Sequence, residues 1–155
     1  MIKIIEIYIF QSLDFVEFAS QGSQCPSNHV DYVKGKGGRI IWLKDLHGSL
    51  INNLSMSSTA VETFKKLLND GKYDSIFVSF DVDGIRSSDC PGVSCPAVIG
   101  LSGDEALSIC YSAGQCKQVR MLDISEFNPL VESYRTGTLI VNMIYYFILG
   151  VANRH

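Results

Sequence analysis

Ser75-Ile76-Phe77-Val78-Ser79-Phe80-Asp81-Val82-Asp83-Gly84 is the stretch on which the fold turns. Its first six residues are apolar on both faces, as a strand covered by helices on either side should be. It then ends abruptly on two acids and a glycine. Working outward, short β-branched runs alternate with helical patterns, and strands are expected near 2–9, 14–19, 39–43, 75–80 and 118–124. Between them the spacing predicts a helix near 58–70, with a capping box of Thr59 and Glu62, an apolar face of Val61, Phe64, Leu67 and Leu68, and Gly71 as a stop. A second helix near 103–113 repeats the device with Ser102 and Glu105, packs Ala106, Leu107 and Cys110, and stops at Gly114. A weaker helix follows Pro26 to about Val33, and the last runs from about 138 to 150. Such alternation with short connections predicts an α/β fold, a parallel sheet flanked by helices, with ligands bound beyond the carboxyl ends of the strands.

The rest of the composition narrows the class. Thirteen Lys and Arg against sixteen Asp and Glu give a net charge of −3 over 155 residues, which argues against a nucleic-acid or membrane-surface partner, because phosphate neutralisation needs clustered base. With 46% hydrophobic and 19% charged residues the chain can fill a core, and its length suits a single domain, 1–155. Five cysteines with no CxxC pair read as reduced thiols of a cytoplasmic protein. Met1 to Phe10 carries Lys3 and Glu6 and reads as a buried strand. Thr138 to Ala152 falls short of the roughly 20 residues that span a bilayer, so both apolar stretches are assigned to the core.

On a strand, side chains at i and i+2 share a face, so Asp81 and Asp83 are expected to point the same way while Val82 returns to the core. Two carboxylates in a partly desolvated cleft must share a proton or be neutralised by a cation. No base lies in the immediate motif, which makes a hard divalent metal the economical partner. Read alone, the same acids could equally cap the strand-to-loop turn, where Asp and Gly are common. A second cluster, Asp123-Ile124-Ser125-Glu126-Phe127-Asn128-Pro129, ends the next expected strand. If the two strands are neighbours, Glu126 falls on the same rim and can hold a cationic substrate group.

Taken with Pro91-Gly92-Val93-Ser94-Cys95-Pro96, these motifs resemble, in order and separation, the carboxyl-terminal signatures of the arginase, agmatinase and formimidoylglutamase family, the ureohydrolases. The resemblance extends from about Asp14 to the end. It implies a three-layer arginase-like α/β/α fold, here only its carboxyl-terminal part, and a binuclear Mn2+ site that hydrolyses the C–N bond of a guanidino or formimidoyl group. By that resemblance Asp81 bridges the two metals, Asp83 binds one of them, and Glu126 contacts the cationic nitrogen group of a small amidine or guanidino substrate. The Ser-Cys-Pro loop and the Glu-Phe-Asn-Pro variant look closer to formimidoylglutamase-like members. Arg86, where arginases usually carry Asp, is a candidate for a substrate carboxylate, and Arg135 is a second candidate, read more readily as a solvated surface residue.

The departures are as informative. Family enzymes are about twice as long, and their amino-terminal half supplies Gly-Gly-Asp-His and Asp-x-His-x-Asp motifs that are absent here. The only histidines are His29, His47 and His155, and the first two read as ordinary surface or turn residues. A catalytically incomplete copy is expected: a fragment, the product of a truncated gene, or a half-site completed by another chain, with room for a homo-oligomer. The loop Gln21-Gly22-Ser23-Gln24-Cys25 resembles the one that follows the second missing motif. Residues 1–13 are read as a divergent or unrelated start, of which Met1 to Phe10 covers an otherwise unpaired sheet edge. Cys90 and Cys95 read as small buried hydrophobes, and Ser94 lacks a nucleophile elbow. Two further readings stand beside the hydrolase. One is a non-catalytic metal-binding or subunit-association domain of the same fold. The other is a haloacid-dehalogenase-like phosphatase, which shares Asp-x-Asp-Gly but usually carries Thr where Ile85 stands.

Overall fold

A computed structural model describes residues 2–3, 14–47 and 56–154. In chain order it contains β1 (Ile2–Lys3), β2 (Val16–Ser20), α1 (Ser27–Gly35), β3 (Arg39–Trp42), α2 (Leu43–Leu46), α3 (Met56–Leu68), β4 (Ile76–Asp81), α4 (Gly103–Gln115), β5 (Val119–Ser125) and α5 (Tyr134–Ala152). Strand and helix alternate as the sequence predicts. The short α2 was not expected, and residues 4–9 of the first expected strand lie outside the described residues.

The strands form two sheets, ordered β1-β2-β3 and β4-β5. Both β2·β3 and β4·β5 are parallel, whereas β1 runs antiparallel to β2, with Ile2 opposite Phe18, and also touches β4. The crossover helices α1, between β2 and β3, and α4, between β4 and β5, let each of these pairs of strands run parallel. The core gathers Phe18, Phe64, Val78, Phe80, Val82, Ile109 and Met143, with Phe18 and Phe64 meeting edge to face at 5.5 Å.

Two helix expectations need correction. Helix α3 begins at Met56, so Thr59 lies inside its first turn rather than at the N-cap position. Its buried positions from residue 60 onward, Ala60, Phe64 and Leu68, follow an i, i+4, i+8 stripe, with Val61 and Leu67 half-buried at its margin. In α4 the capping box is formed as expected. Ser102 Oγ accepts from the Glu105 N–H, and Glu105 Oε2 accepts from the Ser102 N–H at 2.8 Å. Gly114, however, does not stop the helix. A Cβ there would stand 2.1 Å from the Phe147 carbonyl oxygen, and one on Gly150 would stand 2.3 Å from that of Tyr111. The two glycines let the backbones of α4 and α5 approach closely.

Helix α5 starts earlier than expected and spans 19 residues, long and apolar enough to cross a membrane by length and composition. It is not a core helix along its whole circumference. Thr136, Met143 and Gly150 are buried, while Val141, Ile144, Tyr145 and Ile148 are exposed. Its packing on α4 uses only one face.

Candidate metal centre

Parallel pairing sets Ser79 opposite Asp123 and Asp81 opposite Ser125, so both acidic motifs leave the same end of the β4-β5 sheet. Ser79 donates to Asp123 Oδ2 at 2.9 Å, which pins the strands together just before that end. Beyond Asp81 the chain does not continue as a strand. It tightens into a 3₁₀ turn over Val82–Gly84, and the Asp83 N–H donates back to Asp81 Oδ1 at 2.9 Å. The two acids are therefore held near each other by a turn rather than by strand alternation. Val82 is fully buried, as expected.

The Pro-Gly loop closes over this turn. Val93 forms an antiparallel bridge with Phe127, and the Asn128 N–H donates to the Gly92 carbonyl at 2.8 Å. The Gly92 N–H donates to the buried Thr136 hydroxyl at 2.7 Å. A Cβ on Gly92 would lie 2.1 Å from the Glu132 carbonyl oxygen, so only glycine fits there. The loop's Cys95 N–H reaches the Asp83 carboxylate. Three stretches that lie between Asp81 and Pro129 in sequence thus converge on one rim.

The electrostatics follow from that convergence. Burial pushes the Asp83 carboxyl above its ordinary range, the charges of Asp81 and Glu126 add to the rise, and the Cys95 N–H works against it. Asp83 Oδ1 is buried with no hydrogen-bond partner, while Asp81 is 6% exposed. An acceptor left without a proton donor, beside a second carboxylate, fits a bound cation. Glu126 is exposed and sits at φ +69°, a left-handed conformation that costs a non-glycine residue of order 1 kcal/mol or more and tends to mark functional sites. The sequence alone carries no signal of that strain.

The two arginine candidates make contacts of their own. The Arg86 guanidinium donates to Asp89 Oδ2 at 2.8 Å, and Asp89 also caps the Gly103 N–H. Burial would raise the Asp89 carboxyl, but these hydrogen bonds outweigh it and hold the group below its usual range. Among the described residues, the side-chain partner of Arg86 is Asp89 rather than Asp83 or Glu126. Arg135 is exposed, as a surface arginine should be, and its guanidinium also donates to the Ser88 carbonyl of the same loop. All five cysteines are unpaired. Cys90 is buried, and burial pushes its thiol up to about 11. Cys95 is exposed, contrary to expectation, because its backbone rather than its side chain faces Asp83.

His29 also departs from its reading as an ordinary surface residue. Its Nε2 lies 2.5 Å from Oε1 of Glu17, a carboxylate with no exposed surface. His47 is half-buried after α2, beside a pocket of about 330 Å³ that Ser20, Gln21 and Ile99 also line.

Comparison with known proteins agrees with this geometry. The arginase-family model matches residues 12–150. Arginase of Entamoeba histolytica is 33% identical over 84 residues, covering 54% of this chain and 28% of that enzyme. Formimidoylglutamase of Staphylococcus aureus is 29% identical over 94 residues, covering 60% and 30%. The crystal structure of Trypanosoma cruzi formiminoglutamase with Mn2+ superposes with a TM-score of 0.79 at 44% identity, over 90% of this chain and 44% of that one. The chain spans less than half the length of each of these relatives. The fold and the matched residues together set aside the dehalogenase-like alternative, and this chain belongs to the arginase family.

Proposed function

We infer that this chain supplies the acidic half of a manganese-dependent site for hydrolysing the C–N bond of a linear amidine, formimidoylglutamate or a guanidino compound. The observation that carries the reading is the convergence of Asp81, Asp83 and Glu126 on one rim, with Asp83 Oδ1 buried and without a hydrogen-bond donor. Asp81 and Asp83 would hold the metal, their oxygens being the hard donors that Mn2+ favours. When bound, paired divalent ions supply Lewis acidity and a water of lowered pKa. The turn hydrogen bond from the Asp83 N–H fixes the Asp81 carboxylate, and the Cys95 N–H orients that of Asp83.

Glu126, held outward by its left-handed backbone, would accept hydrogen bonds from the cationic nitrogens of the substrate and set the planar carbon against the metal face. Arg86 would meet a substrate carboxylate by exchanging Asp89 for it, which its half-exposed side chain permits. Five unpaired thiols suit a cytoplasmic setting.

A second reading, a non-catalytic metal-binding or association domain, is favoured by one observation. Among the described residues, His29 is engaged with Glu17 rather than with the acidic rim. The test is Mn2+ titration of the 155-residue chain and of Asp83→Asn, followed by amine or ammonia release from formimidoylglutamate, agmatine and arginine. The release assay is run alone and with a second protein carrying the Gly-Gly-Asp-His and Asp-x-His-x-Asp motifs. Mn2+ binding weakened at least about tenfold by the substitution, with turnover in the mixture, supports the hydrolase. Binding without turnover on any of the three substrates supports the non-catalytic domain, and absence of Mn2+ binding by the chain alone together with absence of turnover in the mixture sinks both.

A further inference from the structure

Strand β2 carries a second set of metal-ligating groups that the acidic rim does not use. Glu17 has no exposed surface, although a lone carboxylate in that position is expensive to bury. Its two oxygens are taken up by Ser20 Oγ at 3.3 Å and His29 Nε2 at 2.5 Å. A bulge makes this possible. The register of β2 slips between Phe18 and Ser20, and Ala19 adopts φ +60°. Glu17 and Ser20, which strict alternation would put on opposite faces, therefore meet. Such bulges commonly re-aim side chains beside functional sites. Cys25 is buried just before α1, and His29 lies four residues on, in that helix. One ligand atom from each of Glu17, Cys25 and His29 lies within 4.8 Å of the other two.

We propose that Glu17, Cys25 and His29 form a binding site for one zinc-type divalent cation. The donor set argues for this class, since one thiolate, one imidazole and one carboxylate match borderline-soft Zn2+, whereas the acidic rim offers oxygen donors alone. Charge argues for it as well. A carboxylate and a thiolate carry two negative charges, which a divalent ion balances while the imidazole stays neutral. Binding therefore expels the thiol proton of Cys25 and replaces the Glu17–His29 hydrogen bond with two metal bonds.

Tetrahedral zinc with bonds of 2.0–2.3 Å holds its ligand atoms about 3.3–3.8 Å apart, so His29 must withdraw from Glu17 by about 1 Å. With a side chain 35% exposed, it has room to do so. Three protein ligands leave a fourth position for water, an arrangement found in reactive rather than closed zinc sites.

The test titrates the metal-free 155-residue chain with Co2+, a spectroscopic probe for zinc sites, and displaces it with Zn2+. About one equivalent should produce a thiolate-to-cobalt charge-transfer band that Zn2+ abolishes. Cys25→Ser should lose the band, Cys95→Ser should keep it, and His29→Gln should weaken binding at least about tenfold. Because Cys25 is buried and its variant can misfold, zinc-edge X-ray absorption of the wild-type chain gives a second reading, one sulfur near 2.3 Å with nitrogen and oxygen near 2.0 Å. A spectrum without sulfur, a band that survives in Cys25→Ser, or unchanged affinity in His29→Gln would show that the cluster is only a buried hydrogen-bonded pair beside a thiol.

Discussion

Replacing Gly92 by alanine tests whether the Pro-Gly loop is the clamp that assembles the acidic rim. Gly92 has no positive φ, so alanine meets no backbone penalty there and, in open space, would stabilise the chain by about 0.4–1 kcal/mol through the unfolded state. The surroundings reverse that sign. The added Cβ would stand 2.1 Å from the Glu132 carbonyl oxygen and 2.8 Å from Thr136 Oγ1, so backbone must retreat by about 1.3 Å to restore an ordinary contact of 3.4 Å. Overpacking of this kind costs about 1–3 kcal/mol, and stretching the buried hydrogen bond to Thr136 adds about 1 kcal/mol.

The expected net loss is about 2–4 kcal/mol, a large share of the 5–15 kcal/mol that holds a typical domain together. Urea unfolding followed by circular dichroism reads it directly. Gly103→Ala, whose new Cβ meets nothing nearer than 3.6 Å, is the matched control and should be neutral or slightly stabilising. The same G92A chain should bind Mn2+ more weakly than wild type, since Asn128 and Cys95 reach the rim through this loop. An unfolding midpoint for G92A at or above that of wild type refutes the steric argument.

Gly114→Ala should also destabilise, by about 1–3 kcal/mol, despite the higher helix propensity of alanine, because it forces α4 away from Phe147 of α5; urea midpoints decide the sign. Ser102→Ala should cost α4 about 1 kcal/mol by removing the cap on the Glu105 N–H, measured in the same way. Glu132 supplies a pH signature. Backbone N–H groups of Thr136 and Arg135 hold its carboxyl down at about 2, against an ordinary 4.5. A depressed carboxyl contributes its stability fully above the unfolded value and loses it as pH falls through the folded one. The melting-temperature gap between wild type and Glu132→Gln should therefore be constant above about pH 5 and close between pH 4.5 and 2. A gap that widens toward acid would contradict the capping role.

Much of this protein could be read from local chemistry. The difference between a period of two and a period of 3.6 marks strands and helices because side-chain direction depends only on near neighbours along the chain. The Ser102–Glu105 box was visible for the same reason, its partners being three residues apart. The order of the three motifs pointed to the family before any contact was known. Tertiary structure decided what depends on distant segments. Gly114 looks like a helix stop until Phe147 arrives against it, and Gly92 looks like a loop residue until the Glu132 carbonyl closes on it.

Asp83 reaches Asp81 through a turn that strand alternation does not describe, and Glu126 takes a left-handed backbone that its residue type disfavours. His29 reads as a surface residue because nothing in its neighbourhood of sequence reveals that Glu17, twelve positions earlier, is sealed beneath it. Close approach and the burial of charge are properties of pairs brought together by folding, and a single chain's local pattern does not contain them.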